Sequence, residues 1–212
     1  MARIAVIGGT GYAGSNIVAE AVSRGHTVVS IARSVPQERV EGATYLEGTL
    51  LDTPGIVAQL EGVEVVVLAV SPRGDMAGKV RAATAELVAA LPENVRVGVI
   101  GGAGGSLSAP DGPRLIDLDF PEEYKAEAFE AIGVLEDLQA TPESRDWFFI
   151  HPAEIFGAWN PGERTGVYRD GGDVVVRDAE GVSNLSGPDL GVAVVDEIET
   201  PKHRRERFTV GY

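Results

Sequence analysis

The chain contains no cysteine in 212 residues, which excludes disulfides, thiolate nucleophiles and cysteine-ligated zinc. Histidine is scarce too: His26, His151 and His203 are scattered with no H-x-x-x-H pair, so no metal centre is expected. No apolar run approaches the roughly 18 residues that cross a bilayer, and Met1-Ala2-Arg3 leads into a strand rather than a signal segment. A soluble, cytoplasmic protein with no membrane partner is therefore expected. Positive charge is in deficit, 18 Lys and Arg against 32 Asp and Glu, for a net charge of −14. A phosphate backbone would be repelled by that field, so no nucleic-acid partner is expected. The one basic run, Lys202 to Arg207, reads as a solvated connection before the last strand. Repeats and low-complexity tracts are also missing, and residues 1–212 are read as a single domain.

What is abundant is glycine, and its placement at the start of the chain is informative. Ile4 to Ile7 form an apolar run that breaks into Gly8-Gly9-Thr10-Gly11-Tyr12-Ala13-Gly14 and continues as a helical pattern. Gly9, Gly11 and Gly14 satisfy G-x-G-x-x-G, while Gly8, Gly11 and Gly14 satisfy G-x-x-G-x-x-G. The first glycines permit a tight strand-to-helix turn, Gly11 lets the backbone approach a phosphate, and Gly14 lets helix and strand pack closely. Unpaired N–H groups and the helix dipole then favour an anion. The spacing predicts a dinucleotide diphosphate over Gly8 to Gly14, with Thr10 and Tyr12 among the contacts. A merely structural turn is the competing reading.

Strands and helices alternate after this motif, which predicts a doubly wound α/β fold with a parallel sheet. Strands are expected at 3–7, 26–32, 44–47, 64–70, 95–100, 147–150 and 207–210, the last at the sheet edge. Helices are expected at 53–60, 76–91 and 122–140, and from Ser186 to about Ile198, where Ser186 and Asp189 suggest a capping box. Gly171-Gly172 between Val167 to Arg169 and Val174 to Arg177 reads as a hairpin. Residues 152–184 are expected to form a small C-terminal, substrate-side lobe above the sheet.

In such a sheet the ligand lies outside the carboxyl ends of the strands. The second strand ends in Arg33-Ser34 where an acid would mark NAD; a guanidinium suits a 2′-phosphate, so NADP(H) is favoured over NAD(H), against the alternative of an ordinary surface arginine. Thr49 to Asp52 should border the adenine, and Ala69-Val70-Ser71 the ribose and diphosphate. Gly101 to Ser106, including Gly102, should border the nicotinamide, with His151-Pro152-Ala153 on its other side.

Taken together, Gly8 to Gly14, Gly101 to Leu107, Asp119 to Lys125, Pro161 to Gly166 and the ending Arg207 to Tyr212 resemble the atypical short-chain dehydrogenases grouped as NADH-flavin reductases. These are relatives of biliverdin-IXβ reductase and of NmrA-like proteins. The resemblance implies a Rossmann core with strand order 3-2-1-4-5-6-7 and a nicotinamide cofactor. The chain departs from that pattern in three places: it carries one glycine more before Ser106, Thr49 in place of an aspartate, and His151 where many relatives have a small residue.

Short-chain dehydrogenases use Tyr-x-x-x-Lys, whose i and i+4 side chains share a helix face. This chain has no such pair; Tyr124 and Lys125 are adjacent and diverge by about 100° on a helix, and Tyr124 is expected to be packed. Hydride transfer to a flavin, quinone or tetrapyrrole spreads charge over a ring system and can draw its proton from solvent. The expected activity is therefore an NAD(P)H-dependent reductase of planar conjugated small molecules. His151 and Ser106 are the candidate catalytic groups, against a structural role for each, and Phe156, Trp159 and Tyr168 a candidate aromatic wall. The alternative is a redox sensor of the NmrA-like type, which binds the coenzyme without turnover.

Overall fold

The strand β1 (Arg3–Ile7) is buried from Ile4 to Ile7, because helices cover both of its faces. In the computed structural model, which describes residues 1–212, β1 lies between β2 (Thr27–Ala32) and β4 (Val65–Leu68), parallel to both. Outward from β2 lies β3 (Ala43–Glu47). Outward from β4 come β5 (Arg96–Ile100), β6 (Trp147–His151) and β8 (Glu206–Gly211), all parallel. The two-residue β7 (Arg169–Asp170) closes the edge antiparallel to β8, so the order is β3-β2-β1-β4-β5-β6-β8-β7.

Alternation along each strand feeds two cores. Ala5 and Ile7 of β1, with Trp147 and Phe149 of β6, face α2 (Thr53–Val57), α3 (Val80–Ala90) and α4 (Glu122–Gln139). Ile4 and Val6, with Phe148 and Ile150, face α1 (Tyr12–Ser23) and α5 (Gly187–Glu199). The doubly wound Rossmann order expected from the sequence is what forms, with the last long strand beside β6.

Four expectations change. The final strand is one place in from the edge, because β7 covers it: Arg169 pairs with Gly211 and Asp170 with Val210. The 167–177 hairpin does not form; a turn (Val174 N–H to Gly171 O, 3.1 Å) sends Val174 to bridge Leu107 instead. The helix read over 76–91 is a 3-10 turn (Gly74–Met76) and then α3, parted at Gly78, whose φ of +72° ends the first. Ser186 caps α5 as expected (Asp189 N–H to Oγ, 3.0 Å), but Asp189 does not reach back to it; the Ser186 N–H is held by the Tyr212 hydroxyl at 3.2 Å.

Candidate functional site

The turn after β1 is shaped by glycine. Gly8 has a φ of +84°, donates to Ile31 O at 2.8 Å, and accepts from the Gly11 N–H at 3.0 Å. A Cβ on Gly14 would overlap the Gly8 carbonyl and stand 2.8 Å from Gly9 Cα, so this glycine is fixed by close helix–strand packing. Gly11 differs: a Cβ there would meet only Gly8 O, at 3.3 Å, and the residue is exposed. Space above Gly11 is thus open, and α1 begins behind it with no side-chain cap. The first-turn N–H groups have no intrahelical acceptor and face that space at the positive end of the helix. These residues fit a diphosphate.

Around the turn lie the other expected lining residues. Ala69 and Val70, half-buried after β4, meet the glycine turn directly, since a Cβ on Gly8 would overlap Ala69 O and stand 3.1 Å from Val70 Cγ2. Arg33 and Ser34 are exposed after β2, and Arg33 Nη1 reaches Asp75 Oδ2 at 3.4 Å across the β4 side. Asp52 caps α2 through Gly55 N–H (3.1 Å), which occupies one carboxylate oxygen; Thr49 precedes it. Ser71 donates to Glu127 Oε1 at 2.9 Å, and Arg73 pairs with the same carboxylate while lying 5.8 Å from the Tyr124 ring centre. Tyr124 is half exposed rather than packed, and Lys125 turns away to Glu122 at 2.7 Å.

At the other end, the loop after β5 forms a 3-10 turn over Ala103–Gly105. Gly102 is open, with nothing within 4 Å of where a Cβ would stand, whereas Ser106 is buried with its hydroxyl unpartnered. His151 ends β6 on the face of Phe149, 1% exposed, and its Nδ1 lies 2.7 Å from Gly102 O. A carbonyl only accepts, so Nδ1 carries the proton and Nε2, buried and unpartnered, is bare. Burial pushes its pKa down to about 4, with Arg207 adding to the effect while the Gly102 bond and Asp173 oppose it. Pro152 and Ala153 follow, also buried. The loop is tied on its far side by Arg207, which donates to Gly105 O at 2.9 Å and pairs with Asp173 at 2.6 Å.

Several contacts that shape the site had no sequence signal. The Tyr12 hydroxyl, inside the glycine motif, donates to Pro161 O (3.0 Å) and accepts from Gly187 N–H (2.8 Å), joining the glycine turn to residues 160–161 and to α5. Glu20, buried in α1, takes a two-pronged bond from Arg164, 2.8 Å on each oxygen, which holds its carboxyl below the usual range. Asp189 is wholly buried; burial pushes its pKa up, but bonds from Thr165, Tyr212 and Gly166 outweigh that and lower it. The expected aromatic wall does not assemble. Phe156 packs on Tyr12 with ring centres 5.2 Å apart and Trp159 is 72% exposed, but Tyr168 is drawn to Asp196 of α5 at 3.0 Å. The basic run is not merely solvated either: Arg205 donates to the carbonyls of Thr141, Pro142 and Arg145 beyond the end of α4, and Arg204 pairs with Asp146. A cavity of 620 Å³ lies behind Gly105 among Arg114, Asp173, Arg205 and Arg207 and includes no residue of the glycine turn. No helix is long and apolar enough to cross a membrane.

A parallel sheet in this order, with a glycine turn and an uncapped helix at its carboxyl end, defines a Rossmann-type dinucleotide-binding protein. The chain belongs to the NAD(P)H-binding family whose model matches residues 8–175. It is 36% identical to the uncharacterized protein YwnB of Bacillus subtilis (strain 168), over 98% of this chain and 97% of the other. Among solved structures it resembles a protein of Burkholderia pseudomallei described as a candidate exported protein, with 36% identity, a TM-score of 0.87 and both chains covered in full. It also resembles a candidate NADH-flavin reductase, SP1627, of Streptococcus pneumoniae TIGR4, with 31% identity, a TM-score of 0.83, and 100% and 99% of the two chains covered. The fold is thus that of an NAD(P)H-binding oxidoreductase.

Proposed function

We propose that the protein is an NADPH-preferring reductase that delivers hydride to a planar conjugated acceptor, a flavin, quinone or tetrapyrrole. The observation that carries the reading is the open space above Gly11 in front of the uncapped α1, with Arg33 exposed at the adenosine end. Gly8 to Gly14, with Thr10 and Tyr12 backbone, hold the diphosphate; Arg33 and Ser34 hold the 2′-phosphate; Asp52 borders the adenine, and Ala69, Val70 and Ser71 the ribose and diphosphate. Gly101, Gly102 and the 151–153 turn border the nicotinamide, which supplies the hydride when bound. Arg33 can leave Asp75 for a phosphate, because the 3.4 Å pair is exposed on both sides and weak.

The chain has no Tyr-x-x-x-Lys pair, and Lys125 is committed to Glu122. His151 carries no proton on its bare nitrogen at neutral pH, so the proton comes from solvent, which a delocalised acceptor anion can await. His151 and Ser106 shape the nicotinamide end rather than donate. Residues 152–184, tied down through Pro161 and Arg164, form the acceptor side. We place the reaction in the cytoplasm, where reduced coenzyme is regenerated. The missing acid equally favours a coenzyme sensor without turnover.

The test is a titration of native protein and Arg33→Ala with NADPH and NADH, followed by turnover with FMN, FAD, quinones and biliverdin. Loss of about tenfold or more in NADPH affinity, with NADH binding unchanged, is expected. Equal losses for both coenzymes would remove the 2′-phosphate assignment. Tight binding with no turnover of any acceptor would favour the sensor.

A further inference from the structure

We propose that His151 and Gly105 are a matched pair: the imidazole is a positioning residue that holds the Gly101 to Ser106 loop from behind, and position 105 must be glycine because the ring fills the place of its side chain. A Cβ built on Gly105 stands 2.6 Å from His151 Cε1, 3.4 Å from its Nδ1 and 3.2 Å from Ile132 Cγ1. None of these can give way. The ring is pinned by its 2.7 Å bond to Gly102 O and by Phe149, whose ring centre is 4.9 Å off, and Ile132 is buried in α4. Gly105 itself cannot swing aside, since its carbonyl is held by Arg207 at 2.9 Å.

The requirement is one of space alone. Gly105 is not among the residues of positive φ, unlike Gly8, so alanine would fit its backbone if the ring were absent. The imidazole bonds Gly102 O and abuts Gly105, clamping the loop at both ends of its 3-10 turn. The charged groups that face the ring are Arg207 and Asp173, themselves paired. None of this depends on the acceptor or on turnover.

A double-mutant cycle tests the pair on the full chain without coenzyme. Gly105→Ala in the native background is expected to lower Tm by roughly 5 °C, and by less than half as much in His151→Ala or His151→Asn backgrounds, where only the 3.2 Å approach to Ile132 remains. Equal drops in all backgrounds would overturn the pairing. The positioning role is read by amide exchange at Ser106, whose N–H bonds Ala103 O at 2.9 Å. His151→Leu, which lacks a donor, is expected to speed that exchange about tenfold, and His151→Asn, which keeps an N–H, to restore it. Unchanged exchange in His151→Leu would refute the clamp. Nitrogen-15 spectra should show a neutral ring protonated at Nδ1 at pH 6; a proton on Nε2 would refute it as well. Because these readouts need no coenzyme, their failure is distinct from failure of the reductase assignment.

Discussion

Lowering the pH from 7.5 to 5 should cost the native protein about 2 kcal/mol of stability through His151 alone. The ring is 1% exposed, so the argument is not weakened by solvent screening. Burial depresses its pKa from 6.5 to about 4, which at roughly 1.4 kcal/mol per pH unit is worth about 3.5 kcal/mol over the full range. The sign follows from which state binds the proton. Between those two values the unfolded chain is protonated and the native chain is not, so stability is complete above about pH 6.5 and falls as the pH drops towards 4. Somewhat more than half of the loss is reached by pH 5. Carboxylates with lowered values, Glu20, Asp189 and Glu199, also lose stability in acid, but mainly in the window below their ordinary values of 4.5 and 3.8. Urea unfolding of native protein and His151→Asn at pH 7.5 and 5 separates the two effects. Any cavity cost of the substitution is common to both pH values and cancels in the comparison. Native protein should lose about 2 kcal/mol more than the variant over this interval. Identical losses would refute the buried neutral imidazole, and with it the assignment of solvent as proton source.

Two further outcomes follow from geometry. Gly14→Ala sets a Cβ against the Gly8 carbonyl and 2.8 Å from Gly9 Cα, both backbone; a loss of about 1–3 kcal/mol in thermal unfolding and of NADPH binding by fluorescence titration is expected. Asp189→Asn strips charge from bonds to Thr165, Gly166 and Tyr212 and is expected to cost about 2–4 kcal/mol, measured by urea unfolding at pH 7. Because the native carboxyl is held below its ordinary 3.8, its contribution is present above that value and lost as pH falls through the native one, so the variant should also show a shallower acid limb.

The glycine turn and the sheet order were legible because their causes are local. Gly8 is set by the turn and Gly14 by its close approach to Gly8 and Gly9 within one βα unit, and alternating strands and helices with right-handed crossovers leave a parallel sheet as the outcome. The same local logic misread Val167 to Arg177. Gly171-Gly172 suits a hairpin, yet Val174 finds a better partner in Leu107, more than 60 residues away in sequence, and Asp170 finds Val210. Tyr124 was read as packed because helical spacing suggested it; the Arg73 and Glu127 partnership that keeps it at the surface joins separate elements.

What the sequence by itself determined is the glycine turn and the order of the sheet around it, since glycine spacing and the alternation of apolar strands with helices are properties of short segments. Only the tertiary structure decided what His151, Tyr12 and Asp189 do. Their roles are set by which groups meet them after folding: the Gly102 carbonyl for the imidazole, Pro161 and Gly187 for the phenol, Thr165 and Tyr212 for the carboxylate. A buried polar side chain must find its partner wherever the fold brings one, and sequence spacing carries no record of that meeting.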